Sequence, residues 1–381
     1  MIIKENILNN GWHIIKFSDC IKQLNTGLNP RKNFSLGSGK LKYITAKNLT
    51  KFGTIDFSKC DFIDEEAKRI IHKRSDIRRG DILFSSRAPI GHCHLITEEP
   101  DFYDIGESIF SIRVNQDVVL PEYLCLYLAS DYFVKVASKH TTGSIIMEIR
   151  ISDLMNTEII IPPREIQKKI AKCLNKIDQK IELNKMVNDN LEQQIQLIFD
   201  YLFPDVCAGN KHMGDFIIPK RGKSLLSKNA VHGNVPVIAG GLEPSIYHNV
   251  ANTIAPVVTI SSSGANAGFV NIWGVPVWSS DSSYIDSEMS RYVYFWYAYL
   301  KRHQNNIYNI QTGSAQPHIY PSHISSLPIT DLDYKKIENY TEIVSPIFST
   351  ITKNHVENQH LQSLRDWLLP MLMNGQATIS D

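Results

Sequence analysis

Neither sign of charge dominates this chain: 40 Lys and Arg stand against 39 Asp and Glu in 381 residues, a formal net charge of +1. Attraction to a polyanion must therefore come from local basic patches, because no overall field exists to supply it. Cysteine is sparse and scattered. Cys20, Cys60, Cys93, Cys125, Cys173 and Cys207 form no C-x-x-C pair, which argues against both a zinc ribbon and a disulfide framework. A reducing cytoplasm is the expected compartment. No stretch approaches the roughly 20 apolar residues of a membrane span, and the opening MIIKENILNNGWHIIKF lacks the unbroken apolar core of a secretory signal. Neither a membrane anchor nor secretion is expected.

Enzymatic signatures are also missing. Gly37-Ser38-Gly39-Lys40 and Gly222-Lys223-Ser224 are fragments of a phosphate loop without its first glycine at the required spacing. His92-Cys93-His94 offers three metal ligands, but alternate strand residues face opposite sides and no second cluster completes a site, so metal binding is not expected. No glycine-rich turn suggests a dinucleotide or S-adenosylmethionine pocket, and Ile161-Pro162-Pro163-Arg164 is not a methyltransferase motif. Glu66-Ala67-Lys68 matches the end of a nuclease motif but sits in a basic run where such triplets arise by chance.

What is present is ordinary globular composition, 43% hydrophobic and 21% charged, in a chain long enough for two or three domains. Shifted by about 170 positions, the chain repeats itself. Thr142-Gly143-Ser144 returns as Thr312-Gly313-Ser314, Ser152 as Ser322, Ile177 and Ile181 as Ile347 and Ile351, Asn184 and Asn188 as Asn354 and Asn358, and Leu191 as Leu361. A looser echo aligns Ile82 to Gly91 with Thr259 to Gly268. Each copy mixes short β-rich runs (Asp81 to Ser85, Pro256 to Ile260) with helical patches (Pro121 to Tyr132, Ser290 to Leu300), which predicts α+β units with mainly antiparallel strands.

From Ile170 through Leu174, Ile177, Ile181, Asn184, Asn188, Leu191, Ile195, Ile198 and Leu202, spacings of four and three alternate, the rhythm of a coiled-coil seam. Tyr340, Val344, Ile347, Ile351, Asn354, Asn358, Leu361, Arg365, Leu368 and Leu372 repeat it, with Arg365 as a charged intruder. The first span would be about 48 Å long, more than a small domain buries, and reads as a spacer. Two consecutive asparagines near the middle of each seam exchange stability for register. Antiparallel pairing sets Asn184 and Asn188 level with Asn358 and Asn354, predicting a pseudo-twofold repeat in which the helix pair separates two globular units. Pairing of the helices with a second chain is the competing reading. The expected boundaries are 1–160 and 206–330 for the globular units, and 161–205 and 331–375 for the helices.

Between Cys20 and Ile55, Lys22, Arg31, Lys32, Lys40, Lys42, Lys47 and Lys51 occur with no acidic residue, among asparagines, serines and glycines. Such loops suit phosphate contact and base-edge reading. Lys68, Arg69, Lys73, Arg74, Arg78 and Arg79 form a second basic run. In the second unit Lys220, Arg221, Lys223 and Lys228 precede a stretch to Ser280 whose one formal charge is Glu243 and which carries Ser261, Ser262, Ser263, Asn266, Trp278, Ser279 and Ser280. Candidate DNA contacts are thus Arg31, Lys32, Lys40, Lys42, Lys47, Ser86, Arg87, Thr142 and Ser144 in the first unit, and Lys220, Arg221, Lys223, Ser262, Ser263, Asn266, Ser279, Ser280, Thr312 and Ser314 in the second. Solvated surface, or Ser/Gly loops between strands, is the plain alternative for each.

The order globular unit, long helix, globular unit, long helix, with Ile160-Ile161-Pro162-Pro163-Arg164-Glu165-Ile166-Gln167 opening the first helix, closely resembles the specificity (S) subunits of type I restriction-modification enzymes over essentially the whole chain. Asp331 to Ile337 departs from the family's Pro-Pro-x-x-x-Gln opening, leaving the second helix start open. The resemblance implies a non-catalytic subunit whose two target-recognition domains each read half of a split double-stranded DNA site. It also implies that the helices act as a ruler and dock two modification subunits, joined by restriction subunits. S-adenosylmethionine, ATP and Mg would belong to those partners, with no cofactor or metal in this chain. A stand-alone DNA methyltransferase or nuclease with divergent motifs, and a tandem-domain adaptor with no nucleic-acid role, are the alternatives.

Overall fold

The β-rich run Ile82–Ser85 is buried along its whole length, because layers cover both of its faces. Ile82 and Phe84 point into one apolar cluster and Leu83 into another, the period-2 arrangement of a strand enclosed on two sides. The computed structural model describes residues 11–50, 53–138, 148–313 and 316–379. Lys51, Thr142, Gly143, Ser144 and Ser314 lie outside the described residues. Two units share the chain, Met1–Ile181 with His360–Asp381, and Glu182–Gln359.

In the first unit β1 (His13–Lys16), β2 (Ile21–Thr26), β3 (Leu41–Ile44) and β4 (Asp61–Ile63) precede helix α1 (Glu65–Ser75). Then come β5 (Ile82–Ser85), β6 (Cys93–Leu95), β7 (Tyr103–Ile105) and β8 (Ile109–Val114). Helices α2 (Pro121–Ala129), α3 (Asp131–Ser138) and α4 (Ile151–Asn156) lead to β9 (Glu158–Ile161) and the long α5 (Arg164–Leu202). The helical patch expected over Pro121 to Tyr132 is two helices, because the Ser130 hydroxyl accepts from the Phe133 amide at 3.2 Å and caps a new start. The strands form a pair β1-β9, a four-stranded sheet β2-β8-β5-β6 and a three-stranded sheet β4-β3-β7. All ladders are antiparallel except β3 with β7.

The second unit repeats this plan with β10 (Lys211–His212), β11 (Lys220–Arg221), β12 (Val235–Ile238), β13 (Ile246–His248), β14 (Val257–Ser261), β15 (Val270–Trp273), β16 (Trp278–Ser279) and β17 (Ser282–Asp286). Helices α6 (Val293–Arg302), α7 (Gln304–Asn309) and α8 (Pro321–Ser325), then β18 (Pro328–Ile329) and the long α9 (Tyr334–Met373), complete it. Its sheets are β10-β18, β11-β17-β14-β15 and β13-β12-β16, with β12 and β16 the parallel pair. Every sheet therefore has its counterpart in the other unit. The loop after β5 is tied by Gly91 N donating to Ser85 O and Ile149 N to Ser86 O; after β14 Gly268 N donates to Ser261 O and Ile319 N to Ser262 O. Both glycines sit at φ 85°, and a Cβ there would meet Val134 or Ile307. These bonds correct the looser echo: Gly91 does match Gly268, but Ser85 matches Ser261, because the second loop is one residue longer.

In the first unit, Ile170, Leu174 and Ile177 of α5 and Leu368, Leu369, Leu372 and Met373 of α9 pack into the core of Phe17, Phe84, Tyr123, Tyr127 and Phe133. In the second, Ile195 and Phe199 of α5 and Ile337, Tyr340, Val344, Ile347 and Ile351 of α9 pack against Val258, Ile260, Phe295 and Tyr299. Within each unit the helix segments run antiparallel: Asp178 meets Arg365 in the first, and Asn184 meets Asn358 and Phe199 meets Tyr340 in the second.

The two helix starts differ in a way that explains the sequence departure. At α5 the buried Gln167 side chain accepts from Leu120 N at 2.8 Å and donates to Pro162 O at 2.9 Å, which fixes the Pro-Pro-x-x-x-Gln opening. At α9 Asp333 takes the capping role, its carboxylate accepting from Lys336 N at 3.1 Å. Helix α9 also runs through Pro346, where the adjacent Ser345 hydroxyl donates to Thr341 O at 2.6 Å.

Candidate nucleic-acid interface

The connection between β2 and β3 carries Arg31, Lys32 and Lys40, all exposed. It is a built loop rather than a loose one. Asn33 N donates to Pro30 O at 2.6 Å, Gly37 N to Phe62 O at 2.8 Å, and the Tyr43 hydroxyl to Leu28 O at 2.7 Å. Arg31 holds a left-handed φ of 28°, a strained conformation for a residue with a side chain. Lys42 Nζ lies 3.8 Å above the Phe62 ring, a cation–π contact that presents the ammonium at the surface. Lys47 is exposed in the short turn after β3.

Beside this loop, Glu107 accepts from Asn29 Nδ2 at 2.5 Å and from Arg87 Nη1 at 2.8 Å. The Asn29 bond first, then Arg87 and the nearby Arg31 charge, hold its carboxyl below the usual range. Arg87 Nε also donates to Glu148 at 3.1 Å, at the end of the segment that contains Thr142 and Ser144. Arg87 thus bridges two carboxylates, Glu107 and Glu148, with the Arg31 charge near the first.

The second unit builds the same corner from different residues. Lys220 and Arg221 are exposed on β11, the edge strand of the four-stranded sheet, as β2 is in the first unit. Arg221 Nη2 donates to Asp281 at 2.6 Å, and the Ser263 hydroxyl donates to the same carboxylate. Thr312 exchanges backbone bonds of 3.0 and 2.8 Å with His318, which also bridges Ser263. Lys223 is exposed, and its carbonyl accepts from Trp278 Nε1 at 2.8 Å. Asn266 is half-buried, its carbonyl accepting from Phe269 N at 3.0 Å in the turn that reaches Gly268.

Four serines expected to touch DNA are placed otherwise. Ser86 and Ser279 are 0% exposed, Ser262 1% and Ser280 7%. Ser86 Oγ donates to Ser108 O, Ser279 Oγ meets Ser282 Oγ at 2.8 Å, and Ser280 Oγ accepts from Leu225 N. Ser86, Ser279 and Ser280 are corrected to structural roles, their short hydroxyls bonding buried groups at strand ends. The Ser262 hydroxyl is buried without a hydrogen-bond partner among the described residues. A buried side chain cannot reach a duplex. In the second basic run Lys68 is spent on the Pro100 and Asp101 carbonyls, while Arg69 pairs with Glu66 and Arg78 with Asp76. His92 Nδ1–H donates to Leu49 O and His94 Nδ1–H to Gly53 O, so both imidazoles tie down a loop. Residues the sequence did not offer are Glu107, Glu148 and Asp281. Their signal was hidden because each meets its arginine only through the sheet.

Of the helix-pairing residues, Ile177, Ile181, Leu191, Ile347 and Ile351 are buried or half-buried in the seam, and Leu361 is half-buried. Asn184 Nδ2 donates to Asn358 Oδ1 at 2.8 Å and to Glu357 at 2.8 Å. Asn354 Nδ2 donates to Asn188 Oδ1 at 2.8 Å, while Asn188 Nδ2 reaches Ile351 O at 3.4 Å. Arg365, 5% exposed, is neutralised by Asp178 and Asp366.

Two α+β units of one sheet plan, each with a basic edge loop, and long helices paired through buried amides define a tandem-module protein. Residues 9–193 match the model of the type I restriction modification DNA specificity domain. The chain is 30% identical over 188 residues to the specificity subunit of the HindI type I restriction enzyme of Haemophilus influenzae, which is 46% of this chain, and it spans 40% of that relative's length. Similarity to the MjaIX specificity subunit of Methanocaldococcus jannaschii is 25% identity over 415 residues, covering 97% of this chain and 94% of that one. A crystal structure of a type I restriction-modification S subunit from M. genitalium shares the fold over 98% of both chains, with a TM-score of 0.58 and 18% identity. Residues 9–193 thus carry a type I restriction modification DNA specificity domain, and the whole chain is similar to a type I specificity subunit.

Proposed function

We propose that this chain is the DNA-reading subunit of a type I restriction-modification complex, each unit reading one half of a split, asymmetric duplex site. The observation that carries the reading is the repeated corner: in each unit an arginine clamped on a carboxylate stands with a basic edge strand or loop, joined by Glu148 on Arg87 in the first unit and by His318 bridging Ser263 and Thr312 in the second. The exposed Lys32, Lys40, Lys47, Lys220 and Lys223, with the half-buried Lys42, supply phosphate contacts, which position the duplex without reading it. Arg31, Arg87, Arg221, Ser263, Asn266 and Thr312 are the candidates for base edges. Guanidinium and amide groups in defined geometry suit bidentate reading, and the carboxylates hold the arginines oriented until DNA arrives.

The helix pair sets the separation of the two half-sites, with its asparagine layer fixing register, and docks two modification subunits, to which restriction subunits add. S-adenosylmethionine, ATP and Mg act on those partners, and this chain catalyses nothing itself. Cytoplasmic residence accords with six free thiols. Among the described residues no helix is long and apolar enough to cross a membrane.

Exchanging residues 206–330 for those of another family member, in a host carrying the modification partner, tests the reading. Methylation should change in one half-site and keep the other. A change in both halves, or none, overturns it.

A further inference from the structure

Helix α1 has no counterpart in the second unit, where the equivalent stretch between β13 and β14 contains no helix. Its inner face is an ordinary core stripe: Ala67 and Ile71 pack with Tyr43 and Ile63. Its start is capped by Asp64, which accepts from Ala67 N at 2.8 Å, and it ends at Asp76, whose amide donates to His72 O at 2.9 Å. The outer face does something else. Arg69, His72, Lys73 and Arg74 converge with Gln23 and Asn25 of β2 on an open cleft of about 470 Å³.

Every side chain lining that cleft is polar, so it has no apolar wall on which a base or a nucleoside could stack. Its one carboxylate, Asp76, is already neutralised by Arg78 at 2.9 Å and Arg113 at 3.0 Å. Arg74 is held in place by its Nε donating to Thr26 Oγ1 at 3.0 Å, and both Lys73 and Arg74 are exposed. Asn25 is anchored through Ser75 O at 3.3 Å. Basic residues in a last helical turn favour the helix dipole wherever they occur. That effect does not require them to meet a strand's amides in a concavity, nor to have the facing acid cancelled by two arginines. Three residues beyond Thr26 lies Asn29, the first residue of the corner assigned above to DNA, roughly 10 Å of extended chain away.

We propose that the α1–β2 cleft binds backbone phosphates of the duplex beside the half-site read by the first unit, so that the two half-sites are gripped unequally. The inference rests on the DNA-reading function proposed above. Lys73 and Arg74 neutralise about two phosphates, each releasing about 0.9 of a counterion.

The test is binding of the full chain, with its modification partner, to a random-sequence duplex across a salt series, for the wild type and for Lys73→Ala with Arg74→Ala. The slope of log affinity against log salt should become shallower by about 1.8, and affinity at 0.2 M salt should fall about 20-fold for every duplex sequence. Lys73→Arg with Arg74→Lys should restore the wild-type slope, which a loss of folding would not. An unchanged slope in the alanine variant, with salt-dependent binding intact in the wild type, overturns the cleft alone. A wild type without salt-dependent binding overturns the DNA-reading function and the cleft with it.

Discussion

Asn354→Leu should destabilise the second unit although leucine is the more apolar residue. Its amide donates to Asn188 Oδ1 at 2.8 Å, and Asn188 is 3% exposed. Leucine strands that buried acceptor, at a cost of about 1–3 kcal/mol. Because position 354 is only half-buried, the leucine recovers roughly 1 kcal/mol of apolar burial. The net loss is up to about 2 kcal/mol, or up to roughly 4–8 °C in melting temperature for a unit of this size. Adding Asn188→Leu removes the stranded acceptor, and the double variant should return to wild-type stability or exceed it. Calorimetry on the four proteins of the cycle measures the coupling, expected to be at least about 1 kcal/mol in favour of the double variant. Single effects that sum to the double effect within about 0.5 kcal/mol would refute the claim that these amides act as a pair.

Gly91→Ala should cost about 3 kcal/mol or more, since its φ of 85° penalises any side chain and the new Cβ would lie 2.3 Å from Val134 Cγ2. Gly80→Ala, at φ 89° with nothing within 4 Å, should cost only about 1–2 kcal/mol; equal losses on chemical denaturation would contradict this. Lys40→Ala with Lys42→Ala should weaken binding to all duplex sequences alike, and a loss confined to one base pair would show these lysines to be readers. Glu107, whose carboxyl is held below its ordinary value of 4.5, contributes stability fully above that pH and loses it as pH falls further. Glu107→Gln should therefore flatten the acid limb of a urea-midpoint profile, and an unchanged limb would remove Glu107 from the account.

The helices were legible because a seam of alternating threes and fours is a local signal, and the asparagine partners followed from antiparallel alignment alone. The repeat was legible in part: one constant offset joins Asn184 to Asn354, but the loop echo slipped by a residue since a one-residue insertion leaves composition unchanged. The corner proposed to meet DNA was legible only on its basic side. Glu107, Glu148 and Asp281 reach Arg87 and Arg221 across strands distant in sequence, so no local pattern announces them. Serine misled because one short hydroxyl suits both an exposed loop and a buried strand end, as Ser86 and Ser279 show. Helix α1 was concealed for a related reason: its outward basic face reads as a charge run until its buried stripe, Ala67 and Ile71, is placed against β3 and β4.

Methylome sequencing of a host carrying this chain with its modification partner tests the central claim most directly. The account predicts new methylation at a two-part asymmetric sequence whose halves are separated by a fixed number of unread bases. A contiguous motif, or halves at variable separation, would contradict it.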